Sequence, residues 1–157
     1  NVPGRTASNM LASTTLRLAH DFKNIIAIKE ASGDLVQMMN IIKDKPEDFL
    51  VISGDDPLAL TLIAAGGDGL ISVVANSHPQ QTRGVVKAAL NGDFETSKVY
   101  HYQLLDLIAQ LFADGNPGGV KEALKFLGIC DHYVRLPLVP VNQKVSTEIK
   151  RLVEEIK

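Results

Sequence analysis

Lys29 is the residue whose type and position point most directly to chemistry. It follows the apolar run Ile25-Ile26-Ala27-Ile28 and precedes Glu30, so it ends a strand-like segment. Parallel βα folds gather their reactive groups at that end of the strand. An amine held against apolar walls loses its charged form more readily, and the neutral amine attacks a ketone to form an imine. The competing reading is a solvated strand-end lysine whose stem runs along apolar surface beside Glu30.

Arg5 lies in a Pro3-Gly4-Arg5-Thr6 turn. A guanidinium on a loop can hold a carboxylate through two parallel hydrogen bonds, and an ordinary surface arginine is the alternative. Gly54, Asp55 and Asp56 close a second apolar run, Phe49-Leu50-Val51-Ile52. Two adjacent acids can bind a metal or serve as acid and base. The favoured reading is a strand stop and a helix N-cap ahead of Pro57. Gly54 reads as a point where a ligand approaches the backbone closely.

Other candidates carry less. Gly66-Gly67-Asp68-Gly69 precedes a strand instead of following one, so it reads as a helix stop and tight turn, not a phosphate cradle. Neither the dinucleotide fingerprint nor the P-loop motif occurs. His20, His78, His101 and His132 form no ligand pair of known spacing, and Cys130 has no CxxC partner. Tyr100 and Tyr102 flank His101 on a helix and read as packing and surface residues.

The elements that position these residues follow from hydrophobic pattern. Three nearly continuous, β-branched runs, 25–28, 49–52 and 69–74, predict parallel strands buried on both faces. Helices separate them. Leu35, Met38, Met39 and Ile42 make one apolar face, with Asp34 as N-cap. Pro57 opens the next helix, which stops at Gly66-Gly67, and Gln80 to Leu90 follows the third strand. A helix over 13–20 precedes the first strand. Beyond residue 92 only helical patterns appear: a stripe at Leu104, Leu107, Ile108 and Leu111, a short helix over 120–127, and an amphipathic helix through Val145, Ile149, Leu152, Val153 and Ile156.

Composition sets the outer limits. The chain has 157 residues, 45% of them hydrophobic, which suffices for a core and argues against disorder. A formal net charge of -2 gives no electrostatic reason to bind nucleic acid or an anionic membrane. One cysteine excludes an intrachain disulfide, and a cytoplasmic, reducing compartment is the simplest expectation. Three strands cannot close a barrel of eight, and as an open sheet they would leave apolar edges exposed. The chain opens on Asn1 in loop-like sequence, which reads as the second half of a domain of about 250 residues or more.

Four segments in order resemble one family. Asn1-Val2-Pro3-Gly4-Arg5-Thr6, Ile28-Lys29-Glu30-Ala31-Ser32-Gly33-Asp34, Ser53-Gly54-Asp55-Asp56 and 67–76 look like the C-terminal half of the dihydrodipicolinate (4-hydroxy-tetrahydrodipicolinate) synthases. The match continues through Asn116-Pro117 and Val120-Lys121-Glu122-Ala123-Leu124. The resemblance implies an α/β fold, the C-terminal half of a TIM (β/α)8 barrel over residues 1–92, with a C-terminal helical appendage over 93–157. It implies a Schiff-base lyase of lysine and diaminopimelate biosynthesis. Lys29 would form the imine with pyruvate, and the derived enamine would attack L-aspartate-semialdehyde. Arg5 would hold that substrate's carboxylate, and Gly54 and Ile71 would line the pyruvate pocket. The imine serves as electron sink, so no metal or organic cofactor is expected. The implied partners are the N-terminal half of the barrel and further copies in a homo-oligomer, a tetramer in this family.

The related N-acetylneuraminate lyases and keto-deoxy sugar acid aldolases share the lysine and the barrel and are the alternative. A non-catalytic half-barrel that associates through its sheet edges is a further one. The family's catalytic tyrosine would directly precede Asn1, and its threonine pair, its lysine-inhibitor site and the tyrosine donated across its dimer would lie in the N-terminal half. Ala7 stands where the family usually has Gly, and Gly118-Gly119 replaces a more usual Ile-Pro. Both read as local loop variation.

Overall fold

The computed structural model describes residues 1–156. The chain divides into two compact units, Asn1–Ser72 with Val86–Ser97, and Val73–Val85 with residues 98 onward. The division falls within two helices, α5 (Pro79–Leu90) and α6 (Phe94–Ala113).

The first unit begins with a single turn, α1 (Pro3–Thr6), and then α2 (Ala12–Asp21). Two βα steps and a third strand follow: β1 (Ala27–Glu30), α3 (Leu35–Asp44), β2 (Leu50–Ser53), α4 (Ala59–Ala64) and β3 (Gly69–Leu70). The strands are parallel, in the order β1-β2-β3, with Lys29 opposite Ile52 and Ile52 opposite Gly69.

Local chemistry explains the element ends. The Asp34 side chain caps α3 by accepting from the Gln37 amide at 3.0 Å. After α4 the chain reverses through Gly66 at φ +101°, and the Gly67 amide donates back to the Leu62 carbonyl at 2.8 Å. Asp68 then extends the ladder: its carboxylate accepts from the Val51 amide at 2.7 Å.

Pleat alternation gives this sheet two unlike faces. Ile28 and Val51 are buried with Met38, Ile41, Phe49 and Leu62, and Leu16, Ala19 and Ile25 pack against that cluster. Glu30 and Ser53 share the register of that face and are also buried. On the other face Lys29, Leu50 and Ile71 are exposed and Ala27 and Ile52 are half-buried. The expectation of strands buried on both faces is therefore corrected, because the helices of this unit cover one face only.

Two further corrections concern the same unit. The third strand is two residues long instead of six. The Ile71 amide still donates to the Ser53 carbonyl at 2.8 Å, but β2 ends there and leaves no backbone for residues 72–74 to pair with. On α3, Ile41 is buried while Met39 is exposed, so the stripe lies to one side of the expected one.

The second unit contains α7 (Gly118–Phe126) and α8 (Gln143–Glu155). Leu104, Leu107, Leu111, Ala123, Ile149 and Leu152 lie in its core. Asn142 caps α8 by accepting from the Val145 amide at 3.1 Å. Gly118 and Gly119 are not loop residues: both are buried in the first turn of α7. A Cβ on Gly119 would lie 2.2 Å from the Leu111 carbonyl oxygen, so only glycine allows this approach of α7 to α6. No helix among the described residues is long and apolar enough to cross a membrane.

Glu122 is the buried acid of this unit. It accepts from the Ser146 hydroxyl and from His132 Nδ1, each at 2.7 Å, and lies 3.4 Å from Lys125 Nζ. Burial alone would raise its carboxyl, but these hydrogen bonds and the Lys125 charge outweigh burial and hold it below its usual range.

Three outcomes are expected. Gly119→Ala should lower the urea midpoint by an amount equivalent to about 1–3 kcal/mol or more of overpacking. Gly4→Ala, where nothing lies within 4 Å of the new carbon, should leave the midpoint unchanged. A lowered folded-state carboxyl stabilises above the unfolded value of about 4.3, and that stability is lost as pH falls through the folded value. The midpoint gap between the parent and Glu122→Gln should therefore be full at neutral pH and shrink as pH falls below about 4.

Candidate active site

The candidate site lies at the C-terminal ends of β1 and β2. Lys29 projects from the uncovered face, between the inward-facing Ile28 and Glu30. The Gly54 amide donates to the Glu30 carbonyl at 2.8 Å and brings the turn after β2 beside Lys29. A Cβ on Gly54 would lie 2.8 Å from Lys29 Cε, 3.0 Å from Lys29 Cγ and 2.9 Å from the Ala31 Cβ. The lysine stem therefore runs across bare backbone, and space requires the glycine, since its φ is not positive. The sequence marks Gly54 as a point of close approach; what approaches is Lys29 itself.

The remaining candidates stand around this pair. Ile71 follows β3, is hydrogen-bonded to Ser53 and is half-exposed. Arg5 lies on α1, an exposed turn that begins two residues after Asn1. Asn1 is strapped beside β1: its main-chain nitrogen donates to the Lys29 carbonyl at 2.9 Å, and its carbonyl accepts from the Ala31 amide at 2.9 Å. The structure thus brings Lys29 and Gly54 into contact, Ile71 to the next strand end, and Arg5 to the segment strapped along β1.

The acid pair behaves otherwise than expected. Asp55 occupies a cap position without a side-chain capping hydrogen bond, which corrects the N-cap reading. Its carboxyl is pushed up, first by burial and then by the neighbouring Asp56 charge. Asp56 is buried, and its carboxylate accepts the Ser72 hydroxyl. The Ser53 hydroxyl holds the turn, donating to the Asp55 carbonyl at 2.8 Å and accepting from its amide at 3.2 Å. Among the described residues no group of three or more His, Cys, Asp or Glu is arranged to hold a metal.

One cluster escapes sequence reasoning. Glu30 is fully buried, and Asn1, Ser32 and Gln37 all donate to its carboxylate. The available signal was a charged residue in core-facing alternation with Ile28.

With this geometry in view, comparison with known proteins is decisive. The model of the dihydrodipicolinate synthetase family matches residues 1–156. The chain belongs to the dihydrodipicolinate synthetase family. It is 50% identical, over 99% of its length, to the 4-hydroxy-tetrahydrodipicolinate synthase of Flavobacterium psychrophilum, and 49% identical, over 100%, to that of Phocaeicola vulgatus. In each case it covers 53% of the relative. The crystal structure of the Thermotoga maritima dihydrodipicolinate synthase superposes with a TM-score of 0.96 at 39% identity, over 99% of this chain and 54% of that one. The Aquifex aeolicus enzyme gives 0.95 at 36% identity, over 99% and 53%. The chain spans about half the length of the curated relatives it matches.

The Lys29–Gly54 contact makes a prediction. Gly54→Ala should displace the lysine stem from residue 54, seen as a moved Lys29 Cε in a crystal structure of the variant, while circular dichroism stays that of the parent. An unmoved stem would show that the contact does not set the lysine's position.

Proposed function

We propose that this chain carries the Schiff-base lysine of a 4-hydroxy-tetrahydrodipicolinate synthase. In this reading the Lys29 amine condenses with the pyruvate ketone and releases water. Loss of a methyl proton gives the enamine, whose carbon bonds to the aldehyde carbon of L-aspartate-semialdehyde while the aldehyde oxygen takes up a proton; the semialdehyde's own amine then attacks the imine carbon, which closes the ring and expels the Lys29 amine. Arg5 holds the semialdehyde's carboxylate, and Gly54 and Ile71 line the pyruvate pocket. Residues 1–92 supply the second half of a (β/α)8 barrel and residues 93 onward its helical appendage. The uncovered sheet face calls for the other barrel half as partner, and the complete protein works as a homo-oligomer.

The observation that carries the proposal is the stem of Lys29 lying across Gly54 on that uncovered face, in a chain 50% identical to a protein bearing the synthase name. The test is reduction with borohydride in the presence of pyruvate, followed by peptide mass mapping. The expected result is a reduced pyruvate adduct on Lys29 in the completed barrel and none in Lys29→Arg, because a guanidinium does not form the imine. The chain by itself should show negligible synthase turnover. An adduct absent from the completed, folded barrel would overturn the proposal and favour an inert association module.

A further inference from the structure

We propose that Glu30 is the positioning residue for the Lys29 amine. The inference rests on the preceding reading, in which that amine forms the imine with pyruvate.

The two side chains leave β1 on opposite faces, Lys29 on the uncovered one and Glu30 on the buried one, so Glu30 acts on the amine only through the main chain. The peptide group before Glu30 offers the Lys29 carbonyl to the Asn1 nitrogen at 2.9 Å. The peptide group after Glu30 is held at both ends. Its amide, that of Ala31, donates to the Asn1 carbonyl at 2.9 Å, and its carbonyl accepts from the Gly54 amide at 2.8 Å. Gly54 is the surface on which the lysine stem lies, and Ala31 is the second wall of that place. A Cβ on Gly54 would lie 2.8 Å from Lys29 Cε and 2.9 Å from the Ala31 Cβ. The setting of the peptide after Glu30 therefore governs both Gly54 and Ala31, and with them the path of the stem.

The Glu30 carboxylate fixes that peptide. The Ser32 amide donates to Oε1 at 2.7 Å, which folds the chain over its own side chain and sets the turn through Ala31. Asn1 Nδ2 donates to the two oxygens at 3.1 and 3.0 Å, so the residue that brackets Glu30 through its main chain is held by its side chain as well. Gln37 Nε2 donates to Oε2 at 3.1 Å and ties the group to α3. Glu30 is fully buried, so solvent does not replace an acceptor that is lost. Glu30→Gln keeps the shape and turns one acceptor into a donor, which then faces the donor group of Asn1, Gln37 or Ser32. The turn over residues 30–32 shifts to relieve that conflict and carries Ala31 and the Gly54 contact with it. Misplacing a reacting group by about 1 Å can cost about a hundredfold in rate.

The test uses the complete barrel that contains this chain and reads imine formation as the rate of borohydride trapping of pyruvate on Lys29. In Glu30→Gln the rate at saturating pyruvate is expected to fall about tenfold or more, while the pyruvate concentration that gives half the maximal rate changes by a much smaller factor. Adding Asn1→Asp to Glu30→Gln lets the new amide donate to the new carboxylate, and most of the rate should return. Gln37→Leu removes one donor at similar volume and should slow trapping by a smaller factor, which keeps the test open where Glu30→Gln does not fold. Gly119→Ala, in the other unit, is the control for lost stability and should trap at the parent rate. An unchanged rate in folded Glu30→Gln, or in Gln37→Leu where only that variant folds, overturns the inference and leaves the Lys29 reading intact. A loss that Asn1→Asp does not restore, or that Gly119→Ala shares, also overturns it by marking a general loss of structure. Absence of trapping in the parent barrel overturns the Lys29 reading, and this inference with it.

Discussion

A carboxylate without solvent contact sits at the end of β1, and the arrangement around it follows from the need to satisfy it. An isolated buried charge costs several kcal/mol, and removing one partner of a buried charge network costs about 3–5 kcal/mol. Glu30 meets that demand with donors from three places: Asn1 in the opening segment, Ser32 in the turn after β1, and Gln37 in α3. Satisfying the charge therefore fixes the opening segment, the strand end and the helix relative to one another. The same pleat that turns Glu30 inward turns Lys29 outward. One side chain organises the strand end and its neighbour is left on the uncovered face.

The second constraint is space. Lys29 can lie flat only because Gly54 offers no side chain, and the Gly54 amide is held against β1 by the Glu30 carbonyl. The strand end thus supplies both the lysine and the hydrogen bond that brings its bare platform alongside. Leu50, Ile52 and Ile71 lie on the same uncovered face. An apolar sheet face beside a lysine at the strand end is what a barrel interior supplies, and it is the physical reason for expecting further strands around it.

Much of this fold was legible in the sequence. The three strands, their parallel order, the Asp34 cap and the stop at Gly66-Gly67 each have a local signal, in apolar runs or in residues with special backbone chemistry. Which face each strand presents was not legible. Continuous apolar runs carry no alternation, so nothing in Phe49-Leu50-Val51-Ile52 says that Val51 faces the helices and Leu50 does not. On α3, apolar residues at 35, 36, 38, 39, 41 and 42 surround the helix, so periodicity could not choose Ile41 over Met39. The Glu30 cluster joins residues 29 positions apart, and pattern reasoning has no access to such pairing. Gly118-Gly119 looked like loop variation because the carbonyl that demands Gly119 belongs to a different helix.

The central claim is that Lys29 is the imine-forming residue, held by Gly54 at the end of β1. The most direct measurement is a crystal structure of the complete barrel after reduction with pyruvate. The account predicts continuous density from Lys29 Nζ to the former ketone carbon, with the lysine stem still lying across Gly54. An unmodified Lys29 in fully reduced crystals, or an adduct on a different lysine, would contradict it.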